Sequence, residues 1–163
     1  MDVNKIVARY PAEMDNLLNI LHALQDAHPL NFLPEENLKV VARYLNTTLS
    51  SVYGVVNYYT MLSTKPRGRH IIRLCHSPVC HLMGIGSVQE YLQKHLGVAL
   101  NEPTPDGMFW VELSECLGIC DVAPAMTIDH EPYGYLTEDD IVKIISEIRE
   151  KDRSAKPDQP ADE

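Results

Sequence analysis

Apolar residues recur at helical spacing through the first third of the chain. From Glu13 to Ala27 the positions Met14, Leu17, Leu18, Leu21 and Leu24 predict one amphipathic helix. A second is predicted from Pro34, which suits a first helical position, with Glu35 and Glu36 favourable at the positive end of the dipole. Leu38, Val41, Ala42 and Leu45 form its buried stripe. Thr48 is placed to cap a third helix whose inner face is Leu49, Val52, Tyr53 and Val56. The breaker Lys65-Pro66-Arg67-Gly68 closes this helical stretch.

The pattern then changes period. His70–Leu74 and Met108–Leu113 are short runs rich in β-branched and aromatic residues and read as strands, with a helix over Ser87–Leu96 between them. Ala125–Asp129 reads as a further strand, and Pro132-Tyr133-Gly134 as a turn. Thr137 followed by Asp140 resembles a capping box, and Ile141, Ile144, Ile145 and Ile148 give the last helix its stripe. After Lys151 the chain turns to Pro, Asp and Lys, which cannot bury a face, so disorder is expected there. The fold class is therefore α/β: a three-helix N-terminal unit over residues 1–66, a β-α-β-β-α domain over 67–151, and a tail over 152–163.

Composition narrows the function. Apolar residues at 45% and charged residues at 23% are globular values. A net charge of −9 argues against nucleic acid, whose phosphates need clustered Lys and Arg. Lys65, Arg67, Arg69 and Arg73 do gather, and are read as a solvated loop and strand edge. No stretch is long enough to span a membrane, and Met1–Pro11 lacks the basic-then-apolar order of a secretory signal, so a cytoplasmic protein is expected.

Four cysteines remain, and in a reducing compartment they point to metal or redox chemistry rather than disulfides. Cys75 and Cys80 enclose four residues, Cys116 and Cys120 enclose three, and each pair lies just past a predicted strand, on a loop. Strand ends that are neighbours in a sheet bring such thiolates to one place. A binuclear iron cluster is wider than a single ion and suits these loose pairs; structural zinc ranks second and disulfides third. The spacing differs from the run of three cysteines in plant-type ferredoxins, and His76 and His81, each directly after a cysteine, are given no ligand role. Gly84, Gly86 and Gly118 are placed to let backbone N–H groups approach sulfur.

Several ordered motifs are shared with one family. Cys75-His-Ser-Pro-Val-Cys80-His-Leu-Met-Gly84, Asp106-Gly-Met-Phe109, Glu115-Cys-Leu-Gly-Ile-Cys120, Ala123-Pro124 and Tyr133-Gly-Tyr-Leu-Thr137 resemble the thioredoxin-like 2Fe-2S ferredoxins, as do Ser51–Thr60 and Lys65–Gly68 upstream. The family includes the 24-kDa-type subunit of NADH:quinone oxidoreductase and small subunits of NAD-linked or electron-bifurcating hydrogenases and of formate dehydrogenases. The resemblance implies a thioredoxin-like second domain, with Cys75, Cys80, Cys116 and Cys120 as ligands of one 2Fe-2S cluster. It also implies one-electron transfer, without catalysis of its own, docked to a flavin- and NAD(H)-binding subunit that holds the FMN and reacts with the nucleotide. A hydrogenase or dehydrogenase catalytic subunit is a further expected partner. Met83 departs from a basic residue common in the family, Asn57 from Ala or Thr, and Glu102-Pro103 from a Gly-containing approach; none of these is a cysteine. Consistent with a partner for the nucleotide, Gly84-Ile-Gly86 lacks the third Gly of a dinucleotide fingerprint. The rival readings are a zinc-stabilised interaction module and a free-standing ferredoxin shuttle, the latter having little use for some sixty extra helical residues.

Overall fold

A computed structural model describes residues 2–155. The chain divides into two compact units: one runs up to Ile71 and takes in Glu102–Trp110, the other holds Ile72–Asn101 and the chain from Val111 onward.

The first unit is helical. A short helix α1 (Val3–Val7), not predicted from sequence, precedes α2 (Leu17–Asp26), α3 (Glu35–Tyr44) and α4 (Leu49–Tyr58). Five residues carry too little periodicity to announce α1, which is capped by the Asp2 carboxylate accepting from the Lys5 N–H. Leu17, Ile20, Leu21, Leu24, Leu38, Val41, Val52 and Val56 build one core with Ile6 and Val7. Met14 is 48% exposed instead of buried, because it lies in a 3-10 turn ahead of α2 and so falls out of phase with the 3.6-residue stripe. Thr48 caps α4 as expected, accepting from the Ser51 N–H at 3.2 Å.

Of the basic group, Lys65 is exposed as expected, but Arg67 and Arg73 are not solvated. Arg67 is 4% exposed and donates from Nε to the Asn31 carbonyl and from Nη2 to the Met61 carbonyl, fastening the Lys65–Gly68 segment by its charged head. Arg73 is half-buried in an ion pair with Glu112.

Strands β1 (His70–Cys75), β2 (Phe109–Ser114), β3 (Met126–Ile128) and β4 (Glu131–Tyr133) form a sheet in the order β2-β1-β3-β4. Hydrogen bonds from Arg69, His70 and His76 N–H to the carbonyls of Gly107, Met108 and Ser114 advance in step, so β1 and β2 are parallel. Between them run α5 (Pro78–Leu82) and α6 (Ile85–Leu96), the crossover a parallel pair requires. β1 and β3 are antiparallel, as are β3 and β4. The predicted turn at Pro132-Tyr133-Gly134 is instead largely strand β4, and the reversal falls at Asp129-His130. Pro132 is tolerated because β4 is the edge strand, where a missing N–H breaks no ladder. Buried residues of this unit include Ile72, Leu74, Val111 and Met126 from the strands, Val88 and Leu92 from α6, and Ile141 and Ile145 from α7 (Glu138–Ala155). The elements bear out the expected α/β class, with α1, α5 and β4 added.

Helix α7 runs Glu138–Ala155, past the boundary drawn at Lys151, because a helix tolerates a charged last turn once its start is fixed. The rest of the predicted tail, 156–163, lies outside the described residues. The start is a reciprocal box: the Asp140 N–H donates to Thr137 Oγ1, while Asp140 Oδ2 accepts from the Thr137 N–H and hydroxyl. The Thr137 hydroxyl, then its N–H, holds the Asp140 carboxyl below its usual value. A lowered folded-state value contributes stability above the unfolded carboxyl's titration and loses it as pH falls through the folded one. Thr137→Ala is expected to cost about 1 kcal/mol in urea unfolding at neutral pH. The gap between Asp140→Asn and the unchanged chain should close as the medium is acidified below the ordinary carboxyl range.

A four-thiol candidate cluster site

Both cysteine pairs lie at the carboxyl end of the parallel strands β1 and β2. Cys75 is the last residue of β1, and Cys116 follows β2 by two residues. Each strand therefore delivers one sulfur to the same edge of the sheet, the edge at which open α/β sheets place their ligands. The His76 N–H donates to Ser114 and the Cys75 N–H to Ala125, tying the ends of both loops to the sheet at 2.8 and 3.2 Å.

The second sulfur of each pair comes from a short turn of helix. Cys80 lies inside α5, not on a loop as expected; Ser77-Pro78 is the available signal, since proline at a first helical position is preorganised for it. Cys120 opens a 3-10 turn, Cys120–Val122. Gly118, between Cys116 and Cys120, has φ +79°, a conformation that strains any residue with a Cβ.

All four cysteines are free thiols; Cys75 and Cys80 are buried and Cys116 and Cys120 exposed. Cys116 Sγ and Cys120 Sγ stand 3.5 Å apart, and the Cys75 and Cys80 thiols influence each other's protonation. Two thiolates on one tetrahedral metal, at metal–sulfur distances of about 2.3 Å, stand about 3.8 Å apart, so Cys116 and Cys120 are spaced to share one ion. Among the described residues no three His, Cys, Asp or Glu side chains are grouped closely enough for a single metal ion. The structure thus assembles two pairs rather than one tight tetrad. His76 and His81 are exposed neighbours with ring centroids 6.1 Å apart.

Burial pushes the Cys75 thiol up, yet hydrogen bonds from the Ser77 hydroxyl and from the Leu117 and Ser77 N–H groups outweigh it and bring it to about 7. The Ser77 Oγ lies 3.3 Å from Cys75 Sγ. Burial, then the adjacent Cys75, pushes the Cys80 thiol up against a hydrogen bond from the Ala125 N–H. Cys116 pushes the Cys120 thiol up, with smaller contributions from burial, Cys80 and Cys75. The four sulfurs therefore feel one another, and polar hydrogens of Ser77, Leu117 and Ala125 already point at them. These donors are not the glycines expected from sequence. The donor set fits a thiolate-ligated cluster: four sulfurs, with N–H and O–H groups to stabilise added negative charge.

Beside the site, Met83, Gly84, Val88, Ala123, Pro124 and Leu136 line an open cleft of about 400 Å³. Leu82 is 86% exposed and Met83 56%.

Residues 3–149 match the family model of the thioredoxin-like [2Fe-2S] ferredoxins. The chain belongs to this family, and its cofactor is a 2Fe-2S cluster. It is 34% identical over 137 residues to the E-type chain of the NADH-quinone oxidoreductase of Aquifex aeolicus (strain VF5), covering 84% of each chain. It is 30% identical over 146 residues to the HndA chain of the NADP-reducing hydrogenase of Solidesulfovibrio fructosivorans, covering 90% of this chain and 84% of that one. The fold matches the crystal structure of an NAD+-reducing [NiFe]-hydrogenase in the air-oxidized state with a TM-score of 0.72 at 21% identity. That match covers 83% of this chain but only 23% of the other, a likeness of fold.

Proposed function

We propose that Cys75, Cys80, Cys116 and Cys120 hold the 2Fe-2S cluster, Cys75 and Cys80 on one iron and Cys116 and Cys120 on the other. On this reading the chain is a one-electron relay within a larger oxidoreductase, docked to a flavoprotein that reacts with NAD(H). The single observation that carries it is two cysteine pairs at the ends of adjacent parallel strands, with Cys116 and Cys120 spaced to share one ion. When bound, a 2Fe-2S cluster supplies a site that accepts and returns one electron. The work of the protein is to hold four thiolates, keep one pair dry and aim hydrogen-bond donors at sulfur. The exposed pair then faces outward, where a partner's redox group has access.

The partner is argued from the relatives, which are named as subunits of a quinone oxidoreductase and a hydrogenase. Exposed Leu82, Met83 and Tyr135 around the site, and Tyr58 (79% exposed) in the helical unit, supply apolar surface of the kind interfaces use. Tyr53 and Tyr59, by contrast, pack against the helical core. No helix among the described residues is long and apolar enough to cross a membrane.

Purified protein is expected to contain two irons and two acid-labile sulfides per chain, to absorb in the visible and to show a rhombic EPR signal on reduction. Colourless protein carrying zinc on its thiolates would overturn the cluster assignment. Co-purification with a flavin-containing chain tests the docked reading, and isolation of the loaded chain alone from its native source would favour a mobile shuttle.

A further inference from the structure

One charged pair sits close to the cysteines without touching them. Arg73 Nε donates to Glu112 Oε1 at 2.8 Å, and the two side chains are 20% and 12% exposed. Arg73 is two residues before Cys75 on β1, so both project from the same sheet face, about 7 Å apart along the strand. The parallel register sets Glu112 beside Arg73 and Ser114 beside Cys75, so one face reads Arg73, Glu112, then Cys75, Ser114. The opposite face presents Ile72 and Leu74, both fully buried. No other charged side chain precedes Cys75 on β1 on this face.

We propose that Arg73 and Glu112 hold the redox equilibrium at Cys75 in balance, with the guanidinium favouring the reduced state and the carboxylate opposing it. The proposal rests on Cys75 being a cluster ligand. Reduction adds one electron and no atom at these side chains, so the group bound by Cys75 becomes one unit more negative. A positive charge nearby stabilises that state and a negative charge destabilises it. A unit charge about 10 Å away, at an effective permittivity near 20, alters a one-electron equilibrium by about tenfold. In the intact pair the two effects largely cancel. Removing either charge leaves the opposite one uncompensated by it, in a site too dry for water to screen it fully. The signature is therefore opposite in sign for the two residues, which a merely structural role would not produce.

The test uses cluster-loaded protein, poised at a series of potentials with a chemical reductant and read by the EPR signal of the reduced state. At the midpoint of the unchanged protein, Arg73→Gln is expected to lower the reduced-to-oxidised ratio about tenfold. Glu112→Gln should raise it about tenfold, each a displacement of about 59 mV for one electron. The double variant should return within threefold of the unchanged protein, and Arg73→Lys, which keeps the charge, within twofold. Where Glu112→Gln loses its cluster, Arg73→Gln against Arg73→Lys carries the test: a ratio lowered in the first alone supports the inference, and equal midpoints overturn it. Loaded variants with unmoved midpoints, or with both singles moving the same way, overturn the inference and leave the ligand assignment standing. Unchanged protein without iron and sulfide would overturn the ligand assignment itself.

Discussion

Cys75→Ala protein is expected to retain less than about a tenth of the iron and acid-labile sulfide of the unchanged chain, with its visible absorption lost. Cys75 is one of the two buried cysteines, and of those two its sulfur accepts the larger set of hydrogen bonds. The residue is 2% exposed, so no water can replace its sulfur as a ligand from bulk. Its sulfur is the acceptor for the Leu117 N–H, the Ser77 N–H and the Ser77 hydroxyl, which hold its thiol near 7 although burial pushes the other way. Removal of the sulfur leaves those donors unpaired in a buried place, at about 1–3 kcal/mol for an orphaned group. The loss of metal adds to this, because a cluster binds only the folded chain. The variant should therefore melt earlier than the unchanged protein when both are loaded under the same conditions. Cys75→Ser offers an oxygen in the same place and should keep part of the cluster with a displaced spectrum. A fully loaded Cys75→Ala protein would remove Cys75 from the ligand set.

The site is legible in sequence to the extent that it is local. Two cysteine pairs of different spacing, each after a β-branched run, are enough to place four sulfurs at strand ends. Ser77-Pro78 is a helix-start signal as well, but five residues make no period, so α5 and the place of Cys80 within it escape a reading by periodicity. The donors to sulfur are illegible for a different reason. Leu117 and Ala125 act through main-chain N–H groups, which every residue except proline carries, so residue type says nothing about them. The Arg73–Glu112 pair joins residues 39 apart and depends on strand register, which spacing alone does not define. Arg67 departs from expectation because basic residues near a Pro-Gly breaker ordinarily face water, and carbonyls such as those of Asn31 and Met61 beside it make burial tolerable. The helical stripes, whose information lies entirely in periodicity, stand nearly as the sequence predicts them, apart from Met14.

Gly134→Ala is expected to be the most damaging glycine substitution in the unit that carries the cysteines. A Cβ there would fall 2.4 Å from Val122 Cβ, 2.5 Å from Val122 Cγ2 and 2.6 Å from the Val122 carbonyl oxygen. No rotamer change removes the clash, because two of the three atoms belong to the backbone or to Cβ itself. The carbonyl cannot withdraw freely either: it accepts the Tyr135 N–H at 2.7 Å, and the next turn is tied by the Leu136 N–H to Pro124. The main chain around Val122 must move, and Val122 is the last residue of the 3-10 turn that Cys120 opens. A shift of a few tenths of an ångström passes directly to the sulfur that faces Cys116 at 3.5 Å. The expected result is a destabilisation of about 3 kcal/mol in urea unfolding, together with poorer retention of iron. Gly118→Ala provides the contrast. Its Cβ meets nothing within 4 Å, and only the left-handed φ of +79° opposes it, a penalty of about 1–2 kcal/mol. Gly86→Ala, inside α6 and also open, should be neutral or stabilising by up to about 1 kcal/mol. The order Gly134, Gly118, Gly86 follows from steric contact first and dihedral strain second. A Gly134→Ala protein as stable as the unchanged chain would show that Gly134 and Val122 do not pack as closely as these distances place them.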